Sequence, residues 1–296
     1  MFILRKAFYL VLFIVNQSMS VSIRNLRGVP PASIVTCLNK AFSDYAIPMS
    51  MPESYWKERW EMAKIDYSLS YGLFKGSNLV GFTLHGIDRW NGQHCFYNMA
   101  TGIVPMHRGK SNLGKMYQQA LPQLRNRSLK QGHLEVLCDN KKAIRAYEKL
   151  GFQIVDTLKS YQLPLDLAPR APFKLKPNPD WYPGKYDRFK HHRLSYEHRD
   201  SIIKSQKGAF QFIEMSADKT PLAYAIVKSS NQNIVQFGFE NGDIEQWGLP
   251  LMGLLNKHFK LPRIINISTK DEGIIAFCEK QAFPEFISQY AMCMEM

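Results

Sequence analysis

The sequence predicts a mixed α/β chain (an α+β mixed sheet) built from two tandem copies of one unit, and three observations carry that expectation. TGIVPMHRGKSNLGKMY, from Thr101, reads as a strand ending at Pro105, a tight basic loop and a helix. LEVLCDNKKAIRAYEKLGF, ending at Phe152, reads as a buried strand, a polar corner at Asp139 and Asn140, and an amphipathic helix closed by Gly151. A shift of 131 residues then lays that second block on INISTKDEGIIAFCEKQAF without a gap, so that Leu134 meets Ile265, Asn140 meets Asp271 and Phe152 meets Phe283. Self-similarity at a fixed offset marks a duplicated supersecondary unit.

Taken in order, residues 1–18 stand apart: Arg5 and Lys6 precede the apolar run Ala7 to Val15. That run is signal-like but short for a membrane span, and Met19 before SVSIRNLRG offers a second start, which is the reading favoured here. From Pro31 to Tyr45 a helical period puts Ile34, Leu38 and Phe42 on one face. Ser50 and Glu53 have capping-box spacing before a helix whose Trp56 and Trp60, four apart, are expected as core anchors. Strands follow near Gly72–Phe74, Leu79–Leu84 and Cys95–Val104, with Asn91-Gly92 as a hairpin turn between the last two. The helix after the basic loop repeats Leu113, Met116, Tyr117, Ala120, Leu121 and Leu124 as a buried stripe, bent by Pro122. Residues 164–193 hold six of the sixteen prolines and seven Lys/Arg against three Asp, which reads as a connector. Beyond it, strands near Leu222–Lys228 and Ile234–Phe239 and a helix from Ile244 to Phe259 restore the earlier order.

Composition narrows the function classes. A chain of 296 residues with 45% hydrophobic and 12% aromatic content supports two packed cores and excludes global disorder. Five scattered cysteines (Cys37, Cys95, Cys138, Cys278, Cys293) form no CxxC pair, so neither a zinc site nor a disulfide framework is expected. Adjacent His191 and His192 do not share a helix face and suggest a solvated turn rather than a metal site. Free thiols fit a reducing cytoplasm. The net charge of +13 is dispersed rather than gathered in a Lys/Arg run, and no nucleic-acid module pattern is present, so nucleic acid is not the expected partner.

The basic loop points backbone N–H groups and a helix N-terminus at one spot, an anion-ready arrangement. Gly109-Lys110-Ser111 spells the end of a nucleotide P-loop, but Val104 stands where the first glycine is required. The two blocks together resemble the acyl-CoA-binding half of the GNAT superfamily of N-acetyltransferases. That family's loop usually reads Gln or Arg, two residues, Gly, one residue, then Gly or Ala. Here Arg108 keeps the pattern, while Ser111 and Leu113 stand where small or no side chains are usual. In the second block Glu135, Asn140, Tyr147 and Gly151-Phe152 match, and Leu137 replaces a common arginine.

The resemblance implies two tandem GNAT-like acyl-CoA N-acyltransferase domains, an arrangement also found in some bacterial relatives. The limits are an N-terminal extension at 1–18, a catalytic domain at 19–165, a Pro-rich basic connector at 166–193 and a degenerate domain at 194–296. It implies acetyl-CoA as co-substrate, no metal, and a primary amine on a small molecule or protein as acceptor. Cofactor contacts fall on Ile103 and Val104, whose N–H groups would grip the acetyl carbonyl. The pyrophosphate falls to Arg108, Gly109, Lys110, Ser111, Asn112, Leu113 and Gly114, and Asn140 orders the corner and contacts the cofactor.

Tyr147 is the candidate general acid, its alternative being a plain core aromatic. Glu135, twelve residues earlier, is the candidate base acting through water, its alternative a structural carboxylate. His107 and His133 are usable bases by chemistry that no spacing favours. In the second copy Asn266 replaces Glu135, Cys278 replaces Tyr147, and ENGD with Glu240 and Asp243 replaces the basic loop, so no acetyl-CoA binding is expected there. A fragment of residues 19–165 is accordingly expected to retain binding by itself. The function expected is N-acetyl transfer by direct attack of the amine, and the rival is a non-catalytic acyl-CoA-binding sensor or scaffold.

Overall fold

The structure, a computed structural model, describes residues 20–45, 49–90, 92–169, 172–217 and 220–296. The N-terminal extension, Met19 and Asn91 of the predicted hairpin turn lie outside the described residues. The fold is the expected mixed α/β type, and the chain divides into two compact units.

The first unit comprises the chain up to Arg89, Gln93–Lys130 and Met296. Its elements are β1 (Val21–Asn25), α1 (Pro31–Ala41), α2 (Glu53–Met62), β2 (Tyr71–Lys75), β3 (Asn78–Trp90), β4 (Gln93–Ile103), a 3-10 turn (Pro105–His107) and α3 (Asn112–Asn126). The strands lie in chain order, with β1 antiparallel to β2 and β2 to β3. Ile34 and Leu38 of α1 bury their predicted face against Leu26, Phe82 and Leu84. Trp56 and Trp60 are both 1% exposed, with stacked rings 6.4 Å apart, so they are the core anchors expected of them. The Ser50–Glu53 capping box does not form. Pro52 takes the N-cap of α2 with no side-chain cap, and Glu53 is already the first helical residue.

The second unit comprises Trp90–Gly92 and Gln131–Glu295. It holds β5 (Gln131–Leu137), α4 (Lys141–Glu148), β6 (Gln153–Gln162), β7 (Lys174–Pro177), β8 (Phe189–His191), α5 (Asp200–Ser205), β9 (Phe210–Ser216), β10 (Pro221–Lys228), β11 (Asn233–Glu240), α6 (Ile244–His258), β12 (Arg263–Ser268), α7 (Glu272–Lys280) and β13 (Glu285–Glu295). The 131-residue offset holds in the element bounds: β5–α4–β6 maps on β12–α7–β13 within a residue or two at most starts and ends. Ile267, Phe277 and Phe283 enter the core with Phe237, Leu251 and Met252, which is the apolar pattern the repeat preserves.

The strand order is β5-β13-β6-β12-β11-β10-β9-β7, with β8 also on β11. The closing strands of the two copies are therefore exchanged. β13 pairs antiparallel with β5, Leu137 facing Gln289 and Gln131 facing Glu295, while β6 pairs antiparallel with β12. β13 and β6 in turn pair with each other. This corrects the expected autonomy of residues 19–165: in that fragment β6 would lose both of its partners, since β12 and β13 come from the other copy. Backbone N–H and C=O groups left unpaired where they are buried are costly.

The predicted connector is folded as well. β7 pairs with β9, Trp181 stacks on Phe212 at 4.7 Å and Tyr186 stacks on Tyr224 at 4.0 Å. Phe189 is 1% exposed. Among the described residues no helix is long and apolar enough to cross a membrane.

Candidate active site

The basic loop of the first unit is built around a helix that starts without a cap. Ser111 is the N-cap residue of α3, sits in the left-handed region at φ 54, and makes no side-chain cap hydrogen bond. No acidic residue stands in the first turn of α3. The leading N–H groups of the helix thus keep their donor capacity and positive end of the dipole. Gly109 also turns through positive φ, at 74, which lets the loop reverse without a β-carbon. A β-carbon at Gly109 or Gly114 would meet nothing within 4 Å, so the glycines serve backbone shape and open space rather than close packing.

The loop's side chains divide between bracing and charge. Arg108 braces: its Nε donates to the Ile103 carbonyl at 2.9 Å, and its two terminal nitrogens donate to the Asp44 carboxylate at 2.7 and 2.8 Å. A guanidinium so held shapes the loop and carries charge already paired with Asp44. Asn112, 3% exposed, donates from Nδ2 to the His107 carbonyl at 2.8 Å and ties the loop to the 3-10 turn. Its buried Oδ1 has no hydrogen-bond partner in the structure. Lys110 is exposed and reaches the Met106 carbonyl at 3.4 Å. Leu113 is half-buried. The Val104 N–H donates to Val80 O at 3.0 Å, and an N–H so engaged is not available to an acyl carbonyl.

The corresponding place in the second copy is closed. Asp243 caps α6, its Oδ1 accepting from Gln246 N at 2.9 Å, and Glu245 follows in the first turn. Two carboxylates at a helix N-terminus fill and reverse the field that an anion would need. β11 and β12 run parallel but pair only at Asn233↔Arg263 and Ile234↔Ile264. Beyond that point β8 takes the edge of β11 at Gly238, Phe239 and Glu240. The corner residue Asp271 is drawn into the same closure and accepts from Arg193 N at 2.7 Å. Cys278, the counterpart of Tyr147, is fully buried, and that burial pushes its thiol up to about 12.

Glu135, Asn140 and Tyr147 all belong to the second compact unit. Asn140 is the N-cap of α4, with Oδ1 accepting from Ala143 N at 3.1 Å, which is the corner-ordering role expected of it. Tyr147 lies on α4 at 8% exposure, its ring edge-on to Phe152 at 5.8 Å. Glu135 is half-buried on β5 and accepts from Nδ2 of Asn266 at 3.1 Å. Sequence comparison treats Asn266 only as a lost glutamate, yet the exchange of strands sets it against the residue it replaced.

The histidines sort by burial. Desolvation and the nearby Lys110 and Lys75 charges hold His107 below the ordinary imidazole range. His133 is pushed down to about 4, chiefly by burial, and its ring packs on Trp90 at 4.7 Å. His85 is buried between Leu69 O and Thr83 Oγ1 and falls to about 4. His192, 2% exposed, packs on Phe237. Among the described residues no group of three His, Cys, Asp or Glu could hold a metal ion.

Residues 36–152 match the model of the acetyltransferase (GNAT) family. Among curated proteins no sequence matches. Similar solved structures include a GCN5-related N-acetyltransferase from Sphaerobacter thermophilus, 11% identical, with a TM-score of 0.65 over 93% of this chain and 95% of that one. A tandem GNAT protein from the clavulanic acid biosynthesis pathway is 14% identical, with a TM-score of 0.64 over 93% and 98%. A GCN5-related N-acetyltransferase from Anabaena variabilis is 14% identical, with a TM-score of 0.59 over 93% and 72%. At such identities the structures speak to fold alone, and the fold they share with this chain extends across both of its copies. Residues 36–152 therefore match the GNAT acetyltransferase family model, and the chain has the fold seen in a tandem GNAT protein.

Proposed function

We propose that this chain is an acetyl-CoA-dependent N-acetyltransferase that passes the acetyl group directly to a primary amine, with the first copy equipped for the cofactor and the second degenerate. One observation carries the reading: α3 opens uncapped and free of acidic residues behind a glycine turn, while α6, its counterpart, is capped by Asp243. The residues of the first loop fit a pyrophosphate. They offer helix N–H donors, the Lys110 charge and the Arg108 brace that holds the turn. Ile103 is the remaining candidate to offer its N–H to the acyl carbonyl, and Ser111, Asn112, Leu113 and Gly114 frame the diphosphate. Asn140 adds a contact at the corner. The thioester supplies the activated acetyl group when acetyl-CoA is bound. Glu135 takes the proton that leaves the amine, directly or through water, and Tyr147 donates its phenolic proton to the departing thiolate. The acceptor class stays open between a small metabolite and a protein amine, because acceptor pockets are made by variable loops. Five free cysteines fit a reducing compartment such as the cytoplasm.

The decisive assay is release of CoA thiol from acetyl-CoA over a panel of amines, amino acids, aminoglycosides and peptides. Thiol release with one acceptor class supports the enzyme. Stabilisation by CoA without release over the whole panel supports the second reading, an acyl-CoA-binding sensor or scaffold. The backbone of Ser111 is the observation favouring that second reading, since an L-residue in the left-handed region of the cradle costs about 1–2 kcal/mol.

Two expected outcomes bear on the cradle. Ser111→Gly relieves that backbone cost and removes the β-carbon. It should raise stability by up to about 1 kcal/mol and leave acetyl-CoA affinity equal or tighter. A large loss of affinity in calorimetry would make the Ser111 hydroxyl itself a phosphate ligand. Titration of the full chain with acetyl-CoA should give one equivalent bound, since the second cradle is closed by Asp243 and by β8. Two equivalents of similar affinity would contradict the degenerate reading of the second copy.

A further inference from the structure

We infer that Asn266, contributed by the degenerate copy, is a positioning residue that orients Glu135 and keeps its carboxylate ionised for proton removal from the acceptor amine. The inference rests on Glu135 being the base, as proposed above. It gives the second copy a part in turnover instead of leaving it as scaffold.

The arrangement is specific. Asn266 lies in β12 with φ 58, in the left-handed region, which asparagine tolerates better than most residues. Its backbone N–H is turned out of the ladder and donates to Ser160 Oγ at 3.0 Å, where the pairing of β12 with β6 shifts register. The side chain, 7% exposed, then points its amide nitrogen at two acceptors: Glu135 Oε2 at 3.1 Å and Ser195 Oγ at 3.4 Å. An amide nitrogen has two hydrogens, and here each has an acceptor. The reverse orientation would set the amide oxygen against a carboxylate oxygen, so the network fixes which way the amide lies. Ser195, 3% exposed, is engaged further by His198 Nδ1 at 3.0 Å. The donor facing Glu135 is thus held at its far end by Ser195, which lies just past the predicted connector.

A hydrogen bond donated to a carboxylate favours its charged form. The charged form accepts the proton: an O–H bond forms on Glu135, an N–H bond of the ammonium breaks, and the amine keeps its lone pair for attack. Arg199 and Glu295 stand near enough to His133 to act on it electrostatically. His133, the next residue on that side of β5, is neutral over the working range because burial pushes it down to about 4. His198 acts through Ser195. Asp156, two strands across, is held by Ser268 and Thr269.

The test uses the full chain, with the amine that turns over in the thiol-release panel. Asn266→Asp keeps the size and the left-handed backbone tolerance but replaces the donor by a second carboxylate. It should lower kcat tenfold or more and move the acid limb of the pH–rate profile upward by about one unit, with acetyl-CoA affinity within about twofold. Asn266→Gly keeps the backbone and removes the donor, and should move kcat and the acid limb the same way by less. A purely structural asparagine would change melting temperature without moving the acid limb. Both variants folded, with kcat and acid limb unchanged, would overturn the inference; if Asn266→Asp does not fold, Asn266→Gly decides. Glu135→Gln separates the two levels. Undiminished turnover in that variant overturns the base assignment and with it this inference, whereas loss of turnover there with silent Asn266 variants overturns the inference alone.

Discussion

Deleting the last strand, from Glu285 to Met296, is expected to leave the chain unable to reach a stable fold, although it removes nothing from the catalytic copy as drawn by sequence. β13 is an interior strand of the second unit, set between β5 and β6. It pairs with β5 on one side and β6 on the other, and Met292 and Met294 face the core at 0% and 5% exposure. Its removal opens two strand edges at once and strips the buried face that lies between them. Each net backbone hydrogen bond is worth about 1 kcal/mol, and each fully buried methionine adds about 1.5–3 kcal/mol. Those losses together reach the 5–15 kcal/mol that holds a typical domain folded. The check is soluble yield, circular dichroism and thermal melting of the truncated chain beside the intact one. A cooperative melt within a few degrees of the intact protein would mean that β5 and β6 do not depend on the exchanged strand. Separate fragments of the two sequence halves should fail for the same reason, and mixing them should restore a folded product if the exchange is as described.

Why the halves were legible and their exchange was not follows from what each signal reports. The offset of 131 residues records local pattern: apolar alternation on β5 and β12, N-cap residues Asn140 and Asp271, and the helical faces of α4 and α7. All of it survives in the structure, because each part depends on neighbours a few residues away. Strand pairing is non-local. Alternation says that β6 needs partners on both sides but not which strands supply them. The connector misled for a related reason: proline and charge content read as linker, while Trp181, Tyr186 and Phe189 in the same stretch were anchors. Four aromatics within nine residues, Trp181, Tyr182, Tyr186 and Phe189, are the available signal. At the N-cap of α2 a local rule failed locally, since Pro52 already occupies the cap that Ser50 would need to reach. In the cradle the sequence marked the departures at Ser111 and Leu113. It did not disclose that Arg108 is held by Asp44, a partner 64 residues away. Asn266 was read as the loss of a carboxylate, and only the exchange of strands makes it that carboxylate's hydrogen-bond donor.

Tyr147→Phe is expected to lower kcat about tenfold or more while acetyl-CoA affinity and stability stay near those of the parent. The substitution removes one oxygen and keeps the ring. The edge-on contact with Phe152 and the buried position on α4 are therefore preserved, and the cost to folding is at most that of one hydroxyl hydrogen bond, about 0.5–1.5 kcal/mol. The catalytic cost has a different origin. A phenol has an ordinary pKa near 10 and a thiol near 8.5, so protonating the departing thiolate from tyrosine is uphill by only about 2 kcal/mol, a gap that local hydrogen bonds can offset. Without the phenol the thiolate must leave unprotonated or take a proton from water, and each tenfold of lost rate corresponds to about 1.4 kcal/mol in the barrier. The effect should fall on kcat and kcat/KM alike, as for an interaction made in the transition state. It should be read under single-turnover conditions, where slow product release cannot mask the chemical step. The second copy shows why the hydroxyl, and not the bulk, is the informative group: its Cys278 fills the same repeat position as buried core, with its thiol at about 12 and no loop to hold a cofactor before it. If Tyr147→Phe turns over at the parent rate with chemistry limiting, Tyr147 is core in the same sense, and the proton must reach sulfur from another donor.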